Sequence, residues 1–268
     1  MEKDACSRIK REVISESNRI RTNPKAYIPI LEEYLQNFDG NLLKFPGKNE
    51  LLETEEGPRA YKEAIEFLKN QKPVKELTLN EDISKACKDH LEDIGPKGMT
   101  SHEGINGTNI GDRIEKYCEW DGSCAENMDF GFKKAENILL NMLIDDGVKE
   151  RFQRFNLFNP DFQIIGIAVG PHKIYGICAV VGYCKNVRPI GSEPNDVADF
   201  ISEYIKNTMN KNKKKNIFQE EDPDAPDNTV SIKIDKKSKE INGKIKKITK
   251  KIYTLDTGAK HIVEIENC

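Results

Sequence analysis

A chain of 268 residues is long enough to bury a substantial core in one large domain, or in one domain with an appendage. Apolar residues make up 37% and charged residues 32%, so the surface is heavily solvated while enough apolar material remains to fold. A formal charge of −3 excludes a globally basic platform for nucleic acid or a membrane surface.

No apolar run approaches the roughly 18 residues that a bilayer crossing needs. The opening "MEKDACSRIKREVISESNRIR" has no apolar signal core, so the chain reads as cytoplasmic, with an extracellular location as the alternative if the N-terminus is processed. Ile9, Val13, Ile14 and Ile20 recur near helical spacing and predict a helix over 5–21. Asn23-Pro24 ends it, and "KAYIPILEEYLQNF" predicts a second, short helix. Residues 39–58, polar and rich in Gly and Pro, read as a loop. Pro58 then opens an amphipathic helix carrying Ala60, Ala64, Phe67 and Leu68 on one face. Asn80 is placed to cap the helix "EDISKACKDHLEDI", with Gly95 as its stop.

After the loop "MTSHEGINGTN" the pattern predicts a helix at 109–117, a turn, and a helix at about 132–145. "DFQIIGIAVG" and "KIYGICAVVGYCKN" are β-rich and almost continuously apolar. They read as an antiparallel pair joined at Gly170-Pro171-His172, buried on both faces with helices on either side. "GSEPNDVADFISEYIKNTM" predicts a helix capped by Ser192, followed by the charged linker signals "NKNKKKN" and "EEDPDAPDN". The last forty residues alternate with period two and turn at Asn242-Gly243 and Asp256-Thr257-Gly258, giving a hairpin or three-stranded meander too small to stand alone. The predicted organisation is a domain over 1–190, a capped helix and charged linker over 191–228, and a lysine-rich β tail over 229–268.

The seven cysteines (6, 87, 118, 124, 178, 184 and 268) show no CxxC spacing, which argues against zinc ribbons and thioredoxin chemistry. In a chain without a signal peptide they read as reduced thiols, and as disulfides if the true N-terminus is longer.

Several motifs follow in fixed order: His102 in "TSHEG", Arg113 in "GDRIEKY", Glu126 in "CAENMDFG", and "IDDGVKERFQRFNLFNPDFQIIGIAVG". Together, over about residues 8–187, they resemble the CAP superfamily, also called the SCP or cysteine-rich secretory protein, antigen 5 and pathogenesis-related 1 family. The variant with "DDGV" is associated with unicellular eukaryotes and bacteria. The resemblance implies an α/β fold, an α-β-α sandwich, with a cleft of two histidines and two acids that sometimes holds zinc or another divalent ion. His102 matches the first histidine and Glu126 the glutamate. Asp145 falls near the other acidic position, and Gln153 stands where the second histidine is expected, with Asn127 and Arg154 supporting the cleft.

A carboxamide is a poor zinc donor and cannot titrate as a general base, so His102 with Glu126 leaves an incomplete metal site and the chain is expected to be non-enzymatic, without a cofactor. The bland readings give His102 a loop hydrogen bond, Glu126 a helix cap or buried backbone donors, His90 a surface or supporting place beside acids, and His172 and His261 no chemistry. Asp145 and Asp146 then end a helix and brace a turn.

In the tail, Lys246, Lys247, Lys250, Lys251 and Tyr253 are candidates for docking a protein partner or an acidic polymer surface, against a solvated strand face that protects an edge. Lysines without arginines argue against sequence-specific nucleic-acid readout. The expected role is a structural or interaction component of a large assembly, cytoskeletal or ciliary, in a protist. The alternative is a secreted or vesicular protein binding a sterol, a lipid or a divalent metal.

Overall fold

The structure, a computed structural model, describes residues 3–46, 51–192, 233–241, 244–254 and 260–267. The predicted helix past Ser192, the charged linker and the two tail turns lie outside the described residues. Helix α1 (Lys3–Thr22) is followed by a 3-10 turn at Pro24–Tyr27 and by α2 (Ile28–Leu35). The expected loop at 39–58 instead carries a small antiparallel sheet of β1 (Phe38–Asp39), β2 (Leu42–Lys44) and β3 (Leu51–Glu53). Leu43 in its middle strand is fully buried, and Phe45 packs edge-on to Tyr34 and Phe132, so a few apolar side chains pin a polar segment.

Helix α3 (Pro58–Asn70) precedes β4 (Thr78–Leu79), two residues too short to show any period. Helix α4 (Glu81–Ile94) begins on the Asn80 side chain, which accepts from the amides of Asp82 and Ile83. Gly95 is right-handed and starts a further 3-10 turn, so Gly98, at φ 73°, is the glycine that turns the chain. Helix α5 (Ile110–Ile114) is shorter than predicted and is held by a capping box between Asn109 and Asp112.

Residues 119–130, where a turn was expected, form the long strand β5 (Glu119–Phe130). Its polar residues Glu126, Asn127 and Asp129 are buried, and they hid the alternation of a core strand. Then come α6 (Ala135–Ile144), α7 (Phe152–Leu157), β6 (Ile164–His172) and β7 (Gly176–Arg188). Gly170, Pro171 and His172 belong to β6, and the hairpin turns at 173–175 instead. The tail strands β8 (Lys233–Ile241), β9 (Lys244–Thr254) and β10 (Lys260–Asn267) form an antiparallel meander with β9 in the middle.

The main sheet has the order β4-β6-β7-β5, with β4 parallel to β6 and the other pairs antiparallel. Side-chain alternation divides its faces. Ile165, Ile167, Ala179, Val181, Tyr183 and Ala125 join the core made with α1, α2, α3, α6 and α7, while Ile164, Ala168, Cys178, Val180, Cys184, Cys124 and Met128 join the core made with α4 and α5. Two helical layers thus enclose one sheet, which is the α-β-α sandwich expected from the sequence.

The closest helix–sheet approach uses Gly166 of β6, paired with Gly182 of β7. A β-carbon at Gly166 would lie 2.4 Å from the Ser84 amide nitrogen and 2.5 Å from the Ile83 carbonyl carbon, backbone atoms that cannot swing away. Gly166→Ala is expected to cost about 2–3 kcal/mol in urea unfolding, because α4 must lift off the sheet.

Candidate functional site

The site is built on the face of the sheet that α4 and α5 cover. Alternation from Cys124 and Met128 turns Glu126 onto this face, opposite Gly182 of β7, and the residue is 2% exposed. Arg113 of α5, equally buried, donates from Nη2 to Glu126 Oε2 at 2.5 Å. It also donates to the Thr108 carbonyl at 2.7 Å and to the His102 carbonyl at 3.4 Å. Glu126 Oε1 lies 3.2 Å from His102 Nδ1 and 3.5 Å from His90 Nε2. Burial opposes ionisation of Glu126, but the buried Arg113 guanidinium beside it outweighs that and holds its carboxyl at about 2.

Of its two expected places, His90 takes the supporting one behind Glu126. It is fully buried rather than at the surface, because it shares the α4 face of Ile83, Cys87, Leu91 and Ile94. That i, i+4, i+7 spacing was the available signal. Its Nε2 is 2.9 Å from the Ser101 carbonyl, which can only accept, so Nε2 carries the proton. Burial lowers the His90 pKa against the pull of Glu126, so the ring is neutral, and its Nδ1 is buried without a hydrogen-bond partner. Asp93, one turn further along α4, accepts from the Ile105 amide at 2.8 Å. The histidine loop is therefore tied down at Ser101, His102, Ile105 and Thr108, and His102 alone of the cluster reaches solvent, with its side chain 49% exposed.

Asp145 and Gln153 form a second pair. Asp145 ends α6 in the left-handed region (φ 54°) and is fully buried. Its carboxylate accepts from the Gln153 amide at 2.9 Å and from Gln153 Nε2 at 3.2 Å, while Gln153 Oε1 accepts from the Met128 amide at 3.4 Å. Gln153 thus ties α7 to Asp145 and to the β5 backbone, and the four cleft residues named from sequence fall into two pairs, His102 with Glu126 and Asp145 with Gln153. Asn127 points to the opposite face from Glu126, where it donates to Tyr183 Oη at 3.2 Å and accepts from Asn156 at 3.0 Å. Arg154 donates to the Leu143 and Ile144 carbonyls and to Glu63.

Between Asp145 and Gln153 the chain reverses at Arg151, also left-handed at φ 50°. Its guanidinium binds Glu56 and Glu63 and donates to the carbonyls of Asp145 and Val148. The hydrogen bond from Arg151 lowers the Glu56 pKa to about 2.

The donor set does not fit a divalent ion. One oxygen of Glu126 is committed to a buried guanidinium, whose charge repels a cation at that carboxylate, and the protonated nitrogen of His90 is committed to a carbonyl. His102 is left as the only accessible ligand of this cluster. Among the described residues no group of three or more His, Cys, Asp or Glu side chains is placed to hold a metal. A carboxyl held near 2 is also a weak general base at neutral pH. His172 is structural, buried at the end of β6, 2.9 Å from the Met99 carbonyl and edge-on to Phe130.

A groove of about 400 Å³ lies elsewhere, between α1, α4 and β6, lined by Cys6, Lys10, Lys88, Leu91, Ile167 and Val169 among others. No helix among the described residues is long and apolar enough to cross a membrane.

A family profile described as "CAP: Cysteine-rich secretory protein family" matches residues 18–184, more than half of the chain. No curated protein matches. Among solved structures, an outer surface protein from Borrelia burgdorferi is similar at 19% identity and a TM-score of 0.33, over 42% of this chain and 79% of that one.

Proposed function

The chain belongs to the cysteine-rich secretory protein (CAP) family, and on that premise we propose that it is a non-enzymatic CAP-domain protein, a structural or interaction component in which the histidine–glutamate cleft has become a brace. The observation that carries this reading is the saturation of Glu126: Arg113 takes one oxygen and His102 and His90 crowd the other, so the carboxylate spends its charge on holding the 101–108 loop. Gln153 adds to it by bonding Asp145 and the β5 backbone. We place the CAP domain in residues 1–190, a connecting segment in 191–228 and a docking unit in the β tail, residues 229–268.

The partner surface is a protein or an acidic polymer of a large assembly, such as a cytoskeletal or ciliary one, in the cytoplasm. Lys246, Lys247, Lys250, Lys251 and Tyr253 all lie on β9, whose two edges are already taken by β8 and β10. A partner strand would therefore add along β8 or β10.

The test is extraction of tagged protein from its native cell at graded salt. Full-length protein is expected to partition with an insoluble assembly and to be released as salt rises, and deletion of 229–268 to shift it to the soluble fraction. Equal partition of the two forms would remove the docking role. Zinc calorimetry on the same protein tests the brace: binding at micromolar affinity or tighter that is lost in His102→Ala would show a working metal site.

A further inference from the structure

The core under α4 and α5 holds five of the chain's cysteines, Cys87, Cys118, Cys124, Cys178 and Cys184, all as thiols. Two of them face each other directly across the sheet. Cys124 of β5 is the register partner of Cys184 of β7, so their side chains leave the same face of the sheet at the same level. The pair is of the non-hydrogen-bonded kind. The Cys184 carbonyl accepts from the Gln163 amide at 3.0 Å on the β6 side, which turns that residue's backbone away from β5. Counting along the β5–β7 ladder agrees: the Gly131 amide bonds the Ile177 carbonyl, and alternate pairs then leave Phe130, Met128, Glu126 and Cys124 in non-bonded positions. The Met128 amide, bonded to Gln153 instead of β7, fits the same phase.

Opposed residues of this kind have α-carbons about 4.5 Å apart, inside the range that a disulfide spans. The bulge just before Cys124, between Asp121 and Cys124, gives β5 local slack at that point.

We propose that Cys124 and Cys184 close a cross-strand disulfide when this chain folds in the presence of a small-molecule disulfide. One thiolate attacks a sulfur of the small disulfide, forming a mixed disulfide and releasing one small thiol. The other cysteine's thiolate then attacks the mixed disulfide, forming the Cys124–Cys184 bond and releasing a second. The two cysteines lose two protons and two electrons, and the small disulfide takes both up as it is cleaved. The bond closes during folding, because in the finished fold both cysteines are fully buried and no oxidant reaches them.

The test uses the full chain, denatured and reduced, then refolded with oxidised and reduced glutathione, alkylated and digested without reductant. The expected result is one linked peptide pair, joining the segment with Cys124 to that with Cys184, which disappears in Cys124→Ala and in Cys184→Ala. The linked protein is expected to melt about 10 °C above its dithiothreitol-reduced form, since the bond ties positions 60 apart in sequence. Alkylation of both cysteines in the refolded protein, or linkage of either to Cys87 or Cys118, would overturn the assignment. Protein exported through a bacterial periplasm needs no refolding, and its peptide map distinguishes the same outcomes if the refolded chain aggregates.

Discussion

Arg113→Met is expected to lower the unfolding free energy by about 3–5 kcal/mol, measured by urea titration at neutral pH. The substitution leaves Glu126 buried at 2% exposure, charged, and without its main neutralising partner. It also strips the carbonyls of Thr108 and His102 of their donor, so the loop that carries His102 loses an anchor together with the ion pair. Glu126→Gln placed on top of Arg113→Met removes the stranded charge and is expected to recover a large part of the loss, because the cost lies in the uncompensated carboxylate more than in the missing contact. If the single substitution costs under about 1 kcal/mol, or the second adds further loss, the pair does not brace the loop.

The pH dependence of stability is expected to be set on its alkaline side by Asp129. This residue is 1% exposed on β5, and burial pushes its carboxyl up to about 7, although Asn141 donates to it at 2.8 Å and the Phe130 and Phe132 amides also favour the ionised form. A carboxyl raised in the folded state holds its proton after the unfolded chain has released it near pH 4. Its contribution is fully present below about pH 4, declines as pH rises to about 7, and stays lost above that. Roughly three pH units of displacement correspond to about 4 kcal/mol for this one buried group. Asp145, raised by burial to about 7, acts in the same direction.

Glu126 has the opposite sign. Held at about 2, below its unfolded value near 4.3, it contributes above that value and is lost as pH falls through 2. The stability maximum is therefore expected near about pH 4–5. Asp129→Asn, which cannot ionise, is expected to remove about 2.5 kcal/mol of the loss between about pH 5 and pH 8. Urea unfolding of both proteins across that interval checks it, and equal losses would mean that Asp129 stays ionised in the folded chain.

Periodicity was sufficient wherever a face is uniformly apolar. The helices α1, α3 and α4 and the hairpin of β6 and β7 were legible because their buried positions are Ile, Val, Leu and Ala at helical or alternating spacing. The strand β5 was not, because its buried face carries Glu126 with Arg113 as a partner from α5, and its other face carries Asn127 and Asp129 bonded to Asn156 and Asn141. A polar residue satisfied by a distant one looks, in one dimension, like a turn. The two-residue strand β4 owes its existence to β6, since Thr78 pairs with Ile164 far along the chain. For the site, family resemblance located His102 and Glu126, and the missing imidazole at Gln153 was visible in the sequence. The split into two pairs was not, since it depends on which face of the sheet each element covers. Which of its two places His90 takes was concealed by its acidic neighbours Asp89 and Glu92, which lie on the wet side of the same helix turn.

The reversal between α6 and α7 joins two left-handed residues that are not glycine, Asp145 and Arg151, in a conformation that persists only where its surroundings impose it. What imposes it comes from far along the chain, Glu56 and Glu63, each gripped by Arg151. Transient opening of the segment that starts α3 must therefore release the 145–151 reversal with it, and the two distant stretches behave as one cooperative unit sharing a single opening free energy.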